Sequence, residues 1–303
     1  MIIADPNNPK GIVWIASYPK SGNTWVRIFL YQLMRIMGGH PREDDEINKL
    51  DRASAYEVRL FGLFEQFLGK PLAAASRTEV IHVRPQVHAA IAQRAPAVAL
   101  IKTHNILGRI GGIATINLAV SRGTVYIVRD PRDVALSLAS HLGAPLDEAI
   151  RVMASKGFRT ENKAEAAFEI WGTWSEHVYS WTSEPTDALL VVRYEDLKAD
   201  PIRHFTAISD HLRQKPTPQQ IAEAVELSAF DKLRQAENRR DFRERSPRAE
   251  RFFRFGRAGV WRDVLTSAQA QRIVDDHHEQ MRRFGYLADR DSHSAKAAPP
   301  PSA

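Results

Sequence analysis

The chain has 303 residues, no cysteine, and a formal net charge of +6 from 42 basic and 36 acidic side chains. Without cysteine the sequence excludes disulfides, thiolate nucleophiles and cysteine-bound zinc, and no apolar run reaches the ~18 residues that span a membrane. Residues 1–10 form an expected N-terminal arm without the basic and apolar stretches of a signal peptide, which favours a cytoplasmic protein. We interpret residues 11–288 as a single domain and residues 289–303 as a disordered tail.

Four short, nearly continuous apolar runs predict buried β-strands. They cover Ile12–Ser17, Ala97–Lys102, Thr124–Val128 and Ala188–Val192. Such runs are typical of parallel strands covered on both faces, and the helical segments between them indicate βαβ units. We therefore predict an α/β fold with a central, mostly parallel sheet flanked by helices. Polar residues follow each strand, and because ligands bind beyond the carboxyl ends of such strands, we expect these residues to meet in one crevice.

The turn after the first strand has the composition of an anion site. Residues 17–25 read Ser-Tyr-Pro-Lys-Ser-Gly-Asn-Thr-Trp, and an amphipathic helical segment follows over Val26–Met37. Unpaired amides and the helix dipole favour an anion at the start of such a helix. Lys20 adds a positive charge, and Gly22 allows close approach of a ligand to the backbone. The alternative is a basic helix start after a surface turn. The order of residues differs from the common nucleotide loop, in which lysine follows the last glycine.

The third strand leads into a second candidate anion site. Residues 128–137 read Val-Arg-Asp-Pro-Arg-Asp-Val-Ala-Leu-Ser. Asp130 followed by Pro131 predicts a helix start, which places Arg129 at the strand end and Ser137 about two turns into the helix. The planar guanidinium of arginine suits a phosphate group. The alternative is a surface arginine–aspartate pair beside a solvated serine.

A histidine at the end of the second strand is the candidate general base. Lys102, Thr103 and His104 close that strand, and imidazole accepts protons near neutral pH. The alternative is a structural histidine. The remaining histidines show no metal-ligand spacing, so we expect no metal.

Two further patterns each leave alternatives open. Trp171, Trp174, Val178 and Trp181 predict an amphipathic helix over Glu165–Trp181, whose apolar stripe either faces the core or forms a stacking platform for an acceptor. Eight arginines lie between positions 239 and 257. This arginine-rich segment suits a solvated surface, a nucleic-acid patch or a lid over a polyanionic cofactor.

The order and spacing of these motifs resemble the cytosolic-type sulfotransferases that use 3′-phosphoadenosine 5′-phosphosulfate (PAPS), over roughly residues 11–286. Residues 18–25 resemble the 5′-phosphosulfate loop of that family, and residues 102–104 resemble its Lys-Thr-His segment. Arg129 and Ser137 have the spacing of its 3′-phosphate motif.

Three shorter segments extend the resemblance. Residues 254–262 read Arg-Phe-Gly-Arg-Ala-Gly-Val-Trp-Arg and resemble the family's Arg-Lys-Gly-x-x-Gly-x-Trp-Lys loop. Phe255 replaces the loop's first lysine, and Arg257 offers a substitute cation. Residues 193–197 and 228–230 resemble the segments that contact adenine, the second of which could equally contribute a core phenylalanine.

The resemblance implies a P-loop-NTPase-like fold and in-line transfer of a sulfuryl group from PAPS, without a metal, to a hydroxyl or amine of a small-molecule, sugar or lipid acceptor. It implies catalytic roles for Lys20 at the leaving phosphate, Lys102 at the sulfuryl oxygens and His104 as the base. It also implies a set of contacts to the co-substrate PAPS: Ser21, Gly22, Asn23, Thr24, Trp25, Arg129, Ser137, Tyr194, Ser228, Phe230, Arg254, Phe255 and Gly256.

Two alternative functions stay open at this level. One is a nucleotide-dependent kinase with a variant phosphate loop, and the other is a nucleic-acid binder that uses the arginine-rich segment. Apart from its nucleotide, we expect no nucleic-acid partner and no membrane span. The sequence leaves the acceptor and the oligomeric state open, although we expect acceptor contacts from residues 38–90, 105–120 and 140–165.

Overall fold

A computed structural model describes residues 10–40 and 47–287. The predicted arm, apart from Lys10, and the predicted tail lie outside these described residues. The strands are β1 Gly11–Ser17, β2 Ala55–Tyr56, β3 Val98–Thr103, β4 Arg109–Ile110, β5 Ile113–Ala114, β6 Ser121–Val128 and β7 Leu189–Arg193. The helices are α1 Asn23–Met37, α2 Phe61–Leu68, α3 Arg77–Arg94, α4 Pro131–Leu142, α5 Leu146–Ala154, α6 Trp174–Thr182, α7 Tyr194–Ala199, α8 Pro201–His211, α9 Pro218–Leu227, α10 Phe230–Arg239, α11 Trp261–Val264 and α12 Ser267–Arg283.

Five strands form one parallel sheet in the order β2-β3-β1-β6-β7. The predicted α/β fold is therefore confirmed, and the four predicted strands match β1, β3, β6 and β7 to within three residues at each end. Because all five strands run in the same direction, their carboxyl ends lie along one edge. Sequence patterns missed β2, which has only two residues and therefore lacks an apolar run.

Alternate residues of each central strand pack against helices on opposite faces of the sheet. In β1, Trp14 belongs to the core formed with α3, α4, α5, α6 and α12. Its neighbour Ile15 belongs to the core formed with α1, α8 and α9. This period of two follows from strand geometry, and coverage on both faces explains the nearly continuous apolar runs. No helix within residues 10–40 and 47–287 combines the length and apolar character needed to cross a membrane.

The helix predicted over Glu165–Trp181 is wrong in its first half, because α6 begins only at Trp174. Gly172 has a left-handed φ of 61°, which interrupts a helix. Thr173 then caps α6, since its side chain accepts a hydrogen bond from the amide of Glu176, and the Glu176 side chain accepts one from the amide of Thr173. The sequence of a capping box is present at Thr173 and Glu176, but the helical spacing of the tryptophans favoured a longer helix. Of the two alternatives for the apolar stripe, Trp174, Val178 and Trp181 follow the first, because they pack in the core.

A buried polar network holds the edge of the sheet next to the strand end that carries His104. The carboxylate of Glu57, just after β2, accepts hydrogen bonds from Arg84 at 3.2 Å and from Asn105 at 3.0 Å, and it lies 3.3 Å from the ring of His88. Asn105 in turn accepts a hydrogen bond from the amide of Ile170 at 2.9 Å. The network therefore joins α3, the residues after β3 and the chain at Ile170 to the carboxylate of Glu57.

Replacement of Glu57 by alanine should lower the free energy of unfolding by about 3–5 kcal/mol, because it leaves the buried charge of Arg84 without its partner. Urea denaturation measures this loss. The matched control is Glu148→Ala, which removes an exposed carboxylate paired with Arg151 and should change stability by at most about 1 kcal/mol. Equal effects of the two variants would contradict a structural role for the Glu57 network.

Candidate active site

A cavity of about 520 Å³ opens at the carboxyl ends of the parallel strands. Its lining includes one residue from each predicted polar cluster: Lys20 after β1, His104 after β3, Arg129 after β6 and Tyr194 after β7. The guanidinium of Arg129 lies 3.4 Å from the carbonyl oxygen of Lys20. The structure thus brings the two candidate anion-binding motifs and the candidate base to one site.

Most of the residues predicted for the site line this cavity. They are Lys20, Gly22, Asn23, Thr24, Trp25, Lys102, His104, Arg129, Ser137, Tyr194, Phe230, Arg254, Phe255 and Gly256. Ser21 and Ser228 are fully buried and do not belong to the lining. Ser228 instead accepts a hydrogen bond at its carbonyl from the indole of Trp25, at 2.9 Å. It therefore orients an aromatic wall of the cavity.

The turn between β1 and α1 has the geometry of an anion cradle. Lys20 and Gly22 take left-handed φ values of 68° and 107°, and no side chain among the described residues caps α1. A Cβ atom on residue 22 would lie 2.6 Å from the ring of Tyr194, so this position requires glycine. The hydroxyl of Ser21 is buried without a hydrogen-bond partner in the described part of the chain. The amides at the start of α1 can therefore receive an anion.

Arg129 is held against Tyr194, with its guanidinium 4.2 Å from the ring centroid. It also lies 3.7 Å from the carboxylate of Asp133. This arginine–aspartate pair is buried, in contrast to the surface pair considered as an alternative: the two side chains are 11% and 1% exposed. Within the described ranges the Nε atom of Arg129 is buried without a hydrogen-bond partner, while the residue belongs to the cavity lining.

The loop before α11 closes one side of the cavity. Gly256 packs against Phe230 so closely that a Cβ atom there would lie 2.3 Å from the ring. Asp133 accepts hydrogen bonds from the amides of Gly259 and Trp261 at 2.7 and 2.9 Å, which anchors the loop to α4. Arg257 does not fill the place of the missing lysine in this structure, because it pairs with Asp263 and lies outside the lining.

The arginine-rich segment is partly a cavity wall and partly surface. Arg245, Arg248 and Arg254 belong to the lining. Arg243 is exposed and lies outside it. The segment therefore has the position required of a lid.

Positive charges crowd the centre of the site. Burial, followed by the nearby charge of Lys102, lowers the pKa of Lys20 to about 7. Its ammonium also lies 4.1 Å from the ring centroid of Phe252. Burial lowers the pKa of Lys102 as well, and the carboxylate of Glu244 opposes that shift from 3.1 Å. An anion bound here would favour the charged forms of both lysines.

His104 is oriented with one ring nitrogen already committed. Its Nδ1 lies 2.8 Å from the carbonyl oxygen of Ser17. A carbonyl oxygen only accepts hydrogen bonds, so Nδ1 carries the proton and Nε2 keeps its lone pair. Burial and the charge of Lys102 hold the pKa of His104 well below its usual range. The imidazole is therefore neutral at neutral pH and can accept a proton at Nε2.

Several lining residues were missed by the sequence motifs. The hydroxyl of Tyr56 donates to Glu169 at 2.6 Å, and the indole of Trp171 donates to the same carboxylate at 3.2 Å. Unlike Tyr56 and Glu169, Trp171 was named in the sequence as part of a core stripe or a stacking platform, and it lies both in the core and in the cavity lining. Arg27 lies behind the lining, where it pairs with the lining residue Glu244, and in the sequence it is only a charge within the apolar run of α1. Glu244 itself is one acidic residue within the arginine-rich segment.

Two of the three segments expected to contact the acceptor reach the cavity. Residues 38–90 and 140–165 contribute to the lining, whereas residues 105–120 contribute none of the lining residues in the described chain.

The parallel sheet, the anion cradle after its first strand and the cavity at the strand ends define a nucleotide-binding α/β protein of the P-loop type. The family model described as the sulfotransferase domain matches residues 10–285. This chain therefore belongs to the sulfotransferase family and is a sulfotransferase of the EC 2.8.2 type.

Curated relatives extend over most of the chain. Cytosolic sulfotransferase 16 of Arabidopsis thaliana is 24% identical over 286 residues, which is 90% of this chain and 77% of the relative. Sulfotransferase 1A1 of Canis lupus familiaris is 24% identical over 277 residues, which is 89% of this chain and 83% of the relative.

Solved structures share the fold. A retinol dehydratase in complex with androsterone and the inactive cofactor PAP has a TM-score of 0.61 at 19% identity, covering 94% of this chain and 85% of that one. A mouse sulfotransferase complexed with PAP has a TM-score of 0.55 at 19% identity, covering 92% and 86%. The predicted sulfotransferase fold is thus confirmed.

The lowered pKa of Lys20 should be visible in chemical labelling. Only the neutral amine reacts with acylating reagents, so the rate of Lys20 acylation should reach half its maximum near pH 7. Peptide mass spectrometry after brief labelling measures this midpoint. In Lys102→Met the neighbouring charge is gone, and the midpoint should therefore move to higher pH. A wild-type midpoint at the ordinary lysine value of about 10.4 would contradict the crowding of charges.

Proposed function

We propose that this enzyme transfers the sulfuryl group of PAPS to a hydroxyl or amine of its acceptor, with His104 as the general base. The observation that carries the proposal is that a neutral imidazole and a lysine-containing anion cradle open on the same cavity. Family membership favours sulfuryl transfer over the kinase alternative. PAPS supplies the activated sulfuryl group, and the protein supplies the positioning and the charge.

The residues present suit an adenosine carrying anions at both ends. The buried hydroxyl of Ser21 and the Nε atom of Arg129 have no hydrogen-bond partner among the described residues, and each lies in one of the two anion motifs. Ser21 to Thr24 would hold the 5′-phosphate with the amides at the start of α1. Arg129, Ser137, Arg254 and Gly256 would hold the 3′-phosphate, where a planar guanidinium gives paired hydrogen bonds.

Aromatic side chains would receive the adenine between these two anion sites. Trp25 and Tyr194 pack edge to face, with ring centroids 5.8 Å apart, and Phe230 and Phe255 belong to the same lining. The carbonyl of Ser228 holds the indole of Trp25. We assign Ser228 a positioning role here, rather than a contact with the nucleotide.

His104 would remove the proton from the acceptor as the acceptor oxygen or nitrogen attacks. Its Nε2 carries the lone pair, and its lowered pKa keeps the ring neutral before the reaction. Lys102 would neutralise charge on the sulfuryl oxygens, and Lys20 would do so at the departing phosphate. Groups fixed in place before the reaction stabilise developing charge without reorganisation, and as in phosphoryl transfer they supply most of the rate enhancement.

For the acceptor we propose a class of compound, a small organic molecule with a hydroxyl or amine. A volume of about 520 Å³ is within the usual range for small-molecule sites, and Tyr56, Trp171 and Glu169 would give the acceptor both aromatic and polar contacts. The solved relatives include complexes with androsterone and with retinol, which supports a small organic acceptor, and a sugar or lipid headgroup fits the same definition. The cytoplasmic location, the single domain and the absence of a metal remain predictions from the sequence.

Replacement of His104 by alanine should reduce kcat by about 10²–10⁴-fold, the usual contribution of a general base. The affinity for PAP (3′,5′-diphosphoadenosine) should stay nearly unchanged. An acceptor screen with labelled PAPS provides the assay, and calorimetry measures the affinity. His82→Ala is the matched control, since His82 is exposed on α3 and its loss should leave both quantities intact. Wild-type turnover in His104→Ala would remove this histidine from the mechanism.

Replacement of Arg129 by alanine should weaken binding of PAP by about tenfold or more, because charge-assisted hydrogen bonds to the 3′-phosphate are lost. Binding of 5′-AMP, which has no 3′-phosphate, should change far less. Calorimetry with both nucleotides gives the comparison. Equal losses for the two would show that Arg129 does not contact the 3′-phosphate, and a wild-type protein that fails to bind PAP would contradict the proposed function itself.

A further inference from the structure

A carboxylate of the arginine-rich segment lies inside the anion site. Glu244 accepts a hydrogen bond from Lys102 at 3.1 Å and lies 2.5 Å from the guanidinium of Arg27. The hydroxyl of Thr24 donates to the same carboxylate oxygen as Lys102, at 3.5 Å, and Arg27 contacts the other oxygen. The Glu244 side chain is only 11% exposed, so most of its surface is enclosed by these groups and the cavity wall.

Two of the three partners of Glu244, Thr24 and Lys102, are groups that the proposed function assigns to the reacting end of the nucleotide. Thr24 belongs to the cradle for the 5′-phosphate, and Lys102 faces the position of the sulfuryl group. Burial alone would raise the pKa of Glu244, but the charges of Lys102 and Arg27 outweigh it and hold that pKa well below its usual range. The side chain is therefore a permanent anion among cations that otherwise receive the ligand.

Glu244 and a bound 5′-anion cannot share these cations without a large penalty. Like charges placed side by side in a site shielded from water repel each other by several kcal/mol. Departure of Glu244 leaves neither cation stranded. Arg27 keeps hydrogen bonds to the hydroxyl and the carbonyl of Ser54, both at 2.8 Å, and Lys102 keeps the face of the Tyr56 ring at 3.8 Å.

We propose that Glu244 is a specificity-determining residue, an internal anion that fills the 5′-anion subsite of the ligand-free protein and has to be displaced by the nucleotide. This inference rests on the proposed function. A simple anion gains only the contacts that Glu244 gives up, so it displaces the carboxylate poorly. A nucleotide with a 3′-phosphate and an adenine gains further contacts at Arg129 and at the aromatic wall, and it therefore wins the exchange.

The test replaces Glu244 by glutamine and measures three ligands by calorimetry: PAP, 3′-AMP and inorganic sulfate. Glu244→Gln should bind PAP about tenfold more tightly, because the like charge is gone, and it should bind sulfate measurably more tightly. Affinity for 3′-AMP, which has no 5′-anion, should stay within about twofold. The control is Glu250→Gln, which removes the same charge from an exposed position of the same segment and should leave all three affinities unchanged.

A second variant keeps the proposal testable if glutamine disturbs the segment. Glu244→Asp retains the charge but shortens the side chain, so the carboxylate can no longer reach Arg27 and Lys102 together. The affinity of Glu244→Asp for PAP should lie between the affinities of the wild type and of Glu244→Gln.

Unchanged or weaker binding of PAP in folded Glu244→Gln would overturn the proposal, as would equal gains for PAP and 3′-AMP. Either result leaves the proposed function intact as long as the wild type binds PAP. If the wild type does not bind PAP, the proposed function fails first.

Discussion

The structure depends on the collection of several cations at one edge of a parallel sheet, where burial makes each of them electrostatically expensive. Lys20, Lys102 and Arg129 each arrive at the end of a different strand, and Arg27 points in from α1. Solvent does not screen such a group as it would on the surface. Carboxylates placed within the cluster, chiefly Glu244 and Asp133, offset part of this cost. A site with this excess of buried positive charge favours the binding of anions.

The sheet topology makes that collection possible. Strands that all run in one direction deliver the residues that follow them to the same edge, and the central strands β3, β1 and β6 lie side by side. The turn after β1 then needs left-handed backbone at Lys20 and Gly22 to bring the start of α1 over the cavity. Fold and turn together therefore place Lys20 and His104 in the lining of one cavity.

The sequence predicts this part of the molecule well, since apolar runs report burial on both faces and short polar motifs report the strand ends. It predicts less where contacts depend on distant segments. The prediction of a helix from Glu165 was wrong because Trp171 packs on the core from a non-helical segment, whereas Trp174 and Trp181 do so from α6. The helical spacing of the three tryptophans concealed this difference, and a periodicity does not register the single glycine, Gly172, that interrupts the helix. Glu244 could not be assigned because its partners, Arg27 and Lys102, lie more than 140 positions away along the chain. The local sequence around Glu244 is typical of a solvated surface, but in the folded chain this carboxylate lies in the centre of the cation cluster.

Asp133 shows how tightly two apparently separate recognition elements are joined. One carboxylate lies against the guanidinium of Arg129 and also accepts the amides of Gly259 and Trp261. Any substitution within residues 254–262 that shifts these amides also disturbs the orientation of Arg129. Mutational effects in that loop consequently combine two parts of the proposed nucleotide site, and only double-mutant cycles can separate their contributions.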